Sequence, residues 1–152
     1  MIRFLSTKDC NDIHQYLGSA SPDEQYWSEI FNDQLRLRQY IFNARIISLG
    51  EYVDEKLCKL FSIIVPERDT FVDYCTILAM FNDASFIIES IRLLADLFDP
   101  GEYKKLKVIF YEDRFQTYEE TLFKCGFVKE VDLKGKMMMK QFSHYFDIND
   151  LT

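Results

Sequence analysis

The spacing of apolar residues along the chain predicts a block of strands in the middle of the sequence. Three apolar runs there are rich in β-branched and aromatic residues, which favour strands. They cover residues 40–49, 57–65 and 70–81, and short polar segments containing Gly50 and Pro66 separate them. We therefore predict three consecutive strands that form an antiparallel meander.

Two helices are predicted between a short N-terminal strand at 1–5 and this block. The first follows the polar segment Ser-Thr-Lys-Asp, in which Ser6 or Thr7 can cap a helix, and it ends near residue 18. The second begins at Ser21, where Ser-Pro-Asp-Glu has the residue order of a capping box, and it ends near Arg38. Its predicted apolar face consists of Trp27, Ile30, Phe31 and Leu35.

After the third run, helices and strands alternate. The first helix there stops at Asp-Pro-Gly, residues 99–101, and its apolar face consists of Ile87, Ile91, Leu94 and Phe98. A buried strand at 105–111 follows, then a helix over 113–125 that Gly126 terminates. Two closing strands flank a turn at Lys134-Gly135. The predicted order is β-α-α-β-β-β-α-β-α-β-β, which defines a mixed α/β (α+β) fold.

The segment from Thr70 to Tyr111 is predicted to form a strand, a helix and a second strand. Such a crossover makes its two strands parallel. We therefore expect residues 77–81 and 105–111 to run side by side and to diverge towards the turn at 82–86. Because the first N–H groups of a helix have no partner within it and lie at the positive end of its dipole, this turn is a candidate anion site.

The composition limits the classes of protein to consider. The 152 residues are 48% hydrophobic and include 14 Phe and 9 Tyr, which predicts a single folded domain over 1–152. A net charge of −7 argues against nucleic acid or an anionic membrane as partner, because both are bound through Lys and Arg. Without an N-terminal apolar segment, we expect a cytoplasmic protein. The many aromatic residues make a homodimer a further expectation.

The cysteines are scattered through the chain and predict reduced thiols rather than a disulfide framework. They are Cys10, Cys58, Cys75 and Cys125, and no two form a Cys-x-x-Cys pair. Cys10 and His14 are four residues apart on a predicted helix and could share a metal ion. Zinc sites need three or four protein ligands, and no second pair accompanies these two residues. We therefore predict no metal site.

The element order, together with one local motif, resembles the GNAT family of acetyl-CoA-dependent N-acetyltransferases. The motif lies in 122–136, where Leu-Phe-Lys-Cys-Gly-Phe ends a helix and a strand and hairpin follow. The resemblance extends over nearly the whole chain. It implies a GNAT-like acyl-CoA N-acyltransferase fold, with a mixed, mostly antiparallel sheet flanked by helices. It also implies a V-shaped opening between the strand that ends near Phe81 and the strand at 105–111.

The resemblance implies acetyl-CoA as co-substrate and a small-molecule or peptide amine as acceptor. In the family the pantetheine arm pairs with the first strand of the opening, and the pyrophosphate binds the turn after it. The implied cofactor contacts are Leu78, Ala79, Met80, Phe81, Asn82, Asp83, Ala84, Ser85 and Phe86. This turn departs from the family pattern Gln/Arg-x-x-Gly-x-Gly/Ala, because it contains no glycine and no arginine and carries Asp83.

The resemblance also implies groups that transfer protons. A carboxylate deprotonates the acceptor amine in family members, and the candidates here are Asp73, Glu112 and Asp113. The tyrosine that often protonates the leaving thiolate is replaced by Leu122, so Tyr118, one turn earlier on the same helix face, is the candidate general acid. Two functions remain open, an N-acetyltransferase with an atypical turn and a non-catalytic GNAT-like domain that binds a ligand or a protein.

Overall fold

The structure is a computed structural model in which contacts group the chain into two compact units. It describes residues 1–42, 45–67, 72–98, 103, 105–133 and 139–145, with the side chains at 42, 111–115, 131–133 and 139–145 excepted. Unit 1 comprises Met1–Thr70 with Ile77–Phe81, and unit 2 comprises Phe71–Thr76 with Asn82–Thr152. One strand therefore contributes to both units. The single domain over 1–152 stays a prediction.

Unit 1 is built on strands in the order β1-β3-β4-β5, with β2 paired to β5. Its elements are β1 (Ile2–Phe4), a 3-10 helix (Thr7–Asp9), α1 (Cys10–Ser19), β2 (Gln25–Trp27), a second 3-10 helix (Glu29–Asn32), α2 (Gln34–Phe42), β3 (Ile46–Val53), β4 (Lys56–Ile64) and part of β5 (Tyr74–Phe81). β1 and β4 both pair antiparallel with β3. The turn between β3 and β4 is Asp54-Glu55, whose φ angles of 51° and 64° suit a two-residue hairpin.

Unit 2 contains the predicted strand-helix-strand segment and the closing hairpin. Its elements are Tyr74–Thr76 of β5, α3 (Ala84–Ala95), β6 (Lys105–Tyr111), α4 (Glu112–Lys124), β7 (Val128–Leu133) and β8 (Met139–Tyr145). β5 and β6 are parallel, which confirms the expected crossover. Their recorded pairing joins Tyr74–Thr76 to Lys105–Lys107 and so lies before the predicted range 77–81. β8 pairs antiparallel with β6 and with β7. The predicted turn at Lys134-Gly135 and stop at 99–101 lie outside the described residues.

The helix predicted from Ser21 to Arg38 is wrong. A single turn forms at its start, where the Ser21 C=O accepts the N–H groups of Glu24 and Gln25 at 3.1 and 2.9 Å. The chain then enters β2, a 3-10 helix and α2, and Leu35 is 69% exposed rather than buried. The aromatic residues of β2 pair with β5, so a long-range ladder overrides the local capping signal.

Several predicted boundaries are shifted. The strand predicted at 40–49 begins only at Ile46, because α2 continues to Phe42. The run at 70–81 forms a strand from Tyr74 onwards. The first predicted helix does begin with a cap at Ser6, whose side chain accepts the N–H of Lys8. None of the described helices is long and apolar enough to cross a membrane.

Asp9 is the best-connected buried charge of unit 1. It accepts hydrogen bonds from the Arg3 guanidinium at 2.9 Å, the Ser6 N–H at 2.8 Å and the Tyr52 hydroxyl at 3.1 Å. Burial acts to raise the pKa of the Asp9 carboxyl, but these three donors and the positive charge of Arg3 outweigh it and hold that pKa below its usual range. Asp9 thereby joins β1, β3 and the start of α1.

Candidate functional site

The turn between β5 and α3 is the candidate anion site that the sequence predicts. Asn82 and Asp83 alone connect the strand to the helix. Asp83 is the N-cap of α3, and its Oδ1 accepts the N–H of Phe86 at 3.3 Å, while its C=O accepts the N–H of Ile87 at 3.0 Å. The carboxylate therefore already binds one of the donors that a phosphate would use at this helix end.

The turn needs no glycine. Asp83 has φ −144° and ψ 115°, an extended conformation that every residue adopts. The two non-glycine residues with positive φ in the described chain are Asp54 and Glu55, far along the sequence in unit 1. The connection therefore consists of two residues without a glycine, and the Asp83 side chain caps α3.

Two side-chain contacts hold the turn against α4. The Asn82 Nδ2 donates to the Thr117 C=O at 3.1 Å, and the Cys125 Sγ donates to the Ala84 C=O at 3.7 Å. Cys125 is buried, and this burial, with the negative charge of Asp83, raises the pKa of its thiol to about 12. The thiol is therefore protonated at neutral pH and acts as a donor to the turn.

The predicted cofactor strand precedes this turn directly. Ala79 and Met80 are fully buried, whereas Leu78 and Phe81 are half-buried. The main chain of this strand pairs with β2, with Ala79 opposite Trp27, and Leu78 accepts a further hydrogen bond through its C=O. Sequence reasoning missed β2, and the signal for it was the Tyr-Trp pair inside the predicted helix.

The candidate proton-transfer groups lie in different places. Tyr118 is fully buried on α4, and its ring stacks on Phe110 with centroids 5.3 Å apart. Asp73 is exposed and precedes β5, so the eight residues of that strand separate it from the turn by about 26 Å. Glu112 begins α4, and its side chain and that of Asp113 lie outside the described part. The structure therefore brings α4 to the turn but not Asp73.

The metal pair considered in the sequence is divided between the core and the surface. Cys10 is buried in the core of unit 1, and His14 is exposed. Burial raises the pKa of the Cys10 thiol, which disfavours the thiolate that binds a metal. Within the described residues no three His, Cys, Asp or Glu side chains come together as a metal site requires.

Several solved structures with a similar architecture are acetyltransferases. A GNAT-family acetyltransferase from Streptococcus pneumoniae matches with a TM-score of 0.73 and 14% identity, over 95% of this chain and 98% of that one. A ribosomal-protein-S5-alanine acetyltransferase from Vibrio fischeri matches with a TM-score of 0.66 and 14% identity, over 96% of this chain and 92% of that one. A dodecameric spermidine N-acetyltransferase from Vibrio cholerae matches with a TM-score of 0.66 and 14% identity, over 96% of this chain and 93% of that one.

These similarities define the fold class of the chain. No protein-family model and no curated protein matches the sequence. The structural matches extend over almost the full length of both chains in each pair, and the element order and parallel β5–β6 pairing agree with the fold they share. The chain therefore has the GNAT fold, as the sequence resemblance implied.

Proposed function

We propose that this chain is an N-acetyltransferase that uses acetyl-CoA to acetylate an amine. The observation that carries the proposal is the continuous strand-turn-helix formed by β5, Asn82-Asp83 and α3, within a GNAT fold. The pyrophosphate binds the first N–H groups of α3, and the pantetheine arm extends beside β5. Backbone donors and the helix dipole supply this site without requiring a particular side chain.

Binding of the pyrophosphate requires a rearrangement at the helix start. The Asp83 carboxylate accepts the Phe86 N–H, so a phosphate oxygen must replace it there or share that donor. The negative charge of Asp83 also opposes the phosphate charges. With acetyl-CoA bound, the proposed site has the Asp83 carboxylate turned away from the Phe86 N–H, which it accepts in this structure.

The proposed reaction is a direct acetyl transfer. The acceptor amine attacks the thioester carbonyl carbon, a C–N bond forms, and the C–S bond breaks to release CoA as a thiolate. A carboxylate, Asp73 or Glu112 in this proposal, takes the proton of the amine, and Tyr118 protonates the thiolate. Because Tyr118 is enclosed beside Phe110, its role requires that this stack opens when the ligand binds.

The acceptor is proposed to be a small-molecule or peptide amine. Two proteins with similar structures are an alanine acetyltransferase for ribosomal protein S5 and a spermidine acetyltransferase, which together represent both kinds of amine. The net charge of −7 favours a cationic acceptor over an anionic one. We place the activity in the cytoplasm.

A non-catalytic GNAT-like domain is the second candidate function. The observation that favours it is the Asp83 cap, which fills at the start of α3 the position a pyrophosphate needs. The full burial of Tyr118 points the same way. In this alternative the fold binds another ligand or a protein, and acetyl-CoA is not bound.

Calorimetric titration with acetyl-CoA, CoA and desulfo-CoA decides between the two. The enzyme proposal expects binding of all three that weakens with rising salt, because an anion site is screened. Ala84→Asp adds a second carboxylate at the helix start and is expected to weaken binding further. If the unaltered protein binds none of the three at millimolar concentration, the enzyme proposal fails and the non-catalytic domain replaces it.

A further inference from the structure

Gln25 is a fully buried amide whose donors and acceptors are all used. Its Oε1 accepts the Leu60 N–H at 3.2 Å and the Tyr16 hydroxyl at 2.9 Å. Its Nε2 donates to the C=O groups of Leu60 at 3.1 Å and Tyr26 at 2.8 Å. A carboxamide has two N–H donors and an oxygen that readily accepts two bonds, so this side chain is saturated. Such a group fixes the segment that carries it.

The bonds to Leu60 lie on the edge of β4 that faces away from β3. The Val65 N–H donates to the Arg45 C=O at 2.8 Å, and the register from there places Leu60 opposite Gly50. In an antiparallel pair, residues that exchange hydrogen bonds alternate with residues that do not. The main-chain groups of Leu60 therefore point to the other edge, where the Gln25 carboxamide takes the place of a peptide group.

The main chain of the same segment binds one edge of β5. The Ser28 N–H donates to the Leu78 C=O at 2.7 Å, which places that C=O on the edge of β5 that faces β2. The register then makes Met80 the next residue bonded to β2, because Tyr26 lies opposite it. Ala79 is a non-hydrogen-bonded partner, so its N–H and C=O point to the other edge of β5.

We infer that Gln25 is a positioning residue that decides which edge of β5 is left for a ligand. Its carboxamide fastens β2 to β4, and β2 takes the edge formed by Leu78 and Met80. An acyl-CoA arm that pairs with β5 must then use the main-chain groups of Ala79 and Phe81, beyond the part of β5 that pairs with β6. This inference rests on the proposed function for the identity of the ligand, and the role of Gln25 itself is testable without one.

The Gln25 side chain holds β2 to β4, in addition to the main-chain pairing of β2 with β5. A strand of three residues forms too few main-chain bonds to be stable alone. Loss of the carboxamide would leave the N–H and C=O of Leu60 without their partner, and buried peptide groups are rarely left unpaired. If β2 is released, water can reach Leu60 and form hydrogen bonds with its N–H and C=O groups. We therefore expect β2 to detach when the carboxamide is lost.

Amide hydrogen exchange of the free protein, followed residue by residue by NMR, tests the role of Gln25. Gln25→Met keeps the length of the side chain and removes its polar atoms. We expect exchange at the N–H groups of Ser28 and Met80 to accelerate at least about tenfold through local opening. Ser62→Ala is the matched control, because it removes the buried 2.7 Å bond to Ser48 without touching β2. Its exchange at Ser28 and Met80 should stay unchanged.

Unchanged exchange at Ser28 and Met80 in Gln25→Met would overturn the inference, as would equal acceleration in the control. If Gln25→Met does not fold, Tyr16→Phe takes its place, since it removes one of the bonds to the carboxamide. A smaller acceleration at the same two amides is then expected, and none would equally overturn the inference.

Acetyl-CoA tests which edge the ligand uses. In the unaltered protein we expect added protection at the N–H groups of Ala79 and Phe81 and none beyond the existing protection at Met80. The Kd for acetyl-CoA should rise about tenfold in Gln25→Met, because fewer molecules hold the competent arrangement. Added protection at Met80 instead would overturn the edge assignment. Absence of any binding would refute the proposed function. The exchange data measured without acetyl-CoA would still test whether Gln25 holds β2 in place.

Discussion

Replacement of Asp83 by Asn should strengthen acetyl-CoA binding. The Asn side chain keeps an oxygen that can accept the Phe86 N–H and is as good a helix cap as Asp, so α3 retains its start. The change removes the negative charge that a bound pyrophosphate would meet at the same helix end. The variant therefore isolates the charge of Asp83 from its capping role.

The magnitude follows from the position of the carboxylate. Two unit charges about 4 Å apart interact by about 1 kcal/mol in water and about 4 kcal/mol near a protein surface. Asp83 is half-buried and can turn towards solvent, which places the repulsion near the lower end, at about 1–2 kcal/mol. That energy corresponds to a roughly 5- to 30-fold lower Kd for acetyl-CoA.

Titration calorimetry of three proteins measures this effect. Asp96→Asn is the matched control, because Asp96 is exposed at the opposite end of α3 and the substitution changes the net charge equally. We expect unchanged affinity in that control and tighter binding in Asp83→Asn. Equal affinity in Asp83→Asn and the unaltered protein would refute the view that the cap and the pyrophosphate compete. The pKa of the Cys125 thiol should fall in Asp83→Asn, which confirms independently that the charge was removed.

Three further predictions concern stability, catalysis and assembly. Because the pKa of Asp9 is lowered on folding, its stabilisation is present above the unfolded pKa and is lost as pH falls through the folded one. Urea unfolding should show this loss of stability below about pH 4. Asp9→Asn should lower the free energy of unfolding by about 1–3 kcal/mol at pH 7, and the stability of the variant should depend less on pH in the acid range. Tyr118→Phe should lower turnover about 100-fold or more with acetyl-CoA binding retained, as steady-state kinetics and calorimetry would show; full turnover would exclude Tyr118 as the acid. Sedimentation should reveal a homodimer, and a monomer at micromolar concentration would contradict it.

Local sequence signals predicted the second half of the fold better than the first. The apolar face of α3 and the parallel strands around it follow from spacing alone, and Ile87, Ile91 and Leu94 are indeed buried. The segment after Ser21 could not be predicted in this way, because pairing of β2 with a strand more than fifty residues later decides its conformation. Contacts at that separation leave no trace in local periodicity.

The candidate site shows the same division between local and long-range information. Asn82, Asp83 and Ser85 are all residue types that cap helices, so the sequence could not rank them. The structure selects Asp83 because the Asn82 amide is engaged by Thr117 of α4, 35 residues away. The location of the turn was predictable. Which side chain accepts hydrogen bonds from the first N–H groups of α3 was not, because it depends on how α4 packs.

Because Cys125 donates a hydrogen bond to the start of α3, the reactivity of its thiol reports how often the turn opens. The thiolate, not the thiol, attacks alkylating reagents, and Cys125 is both buried and protonated while it donates to Ala84. The rate at which Cys125 is alkylated therefore rises with the frequency at which its contact with the start of α3 breaks. In a background with Cys58 replaced by Ser, a ligand that binds the start of α3 would reveal itself through that rate, whatever its chemical identity.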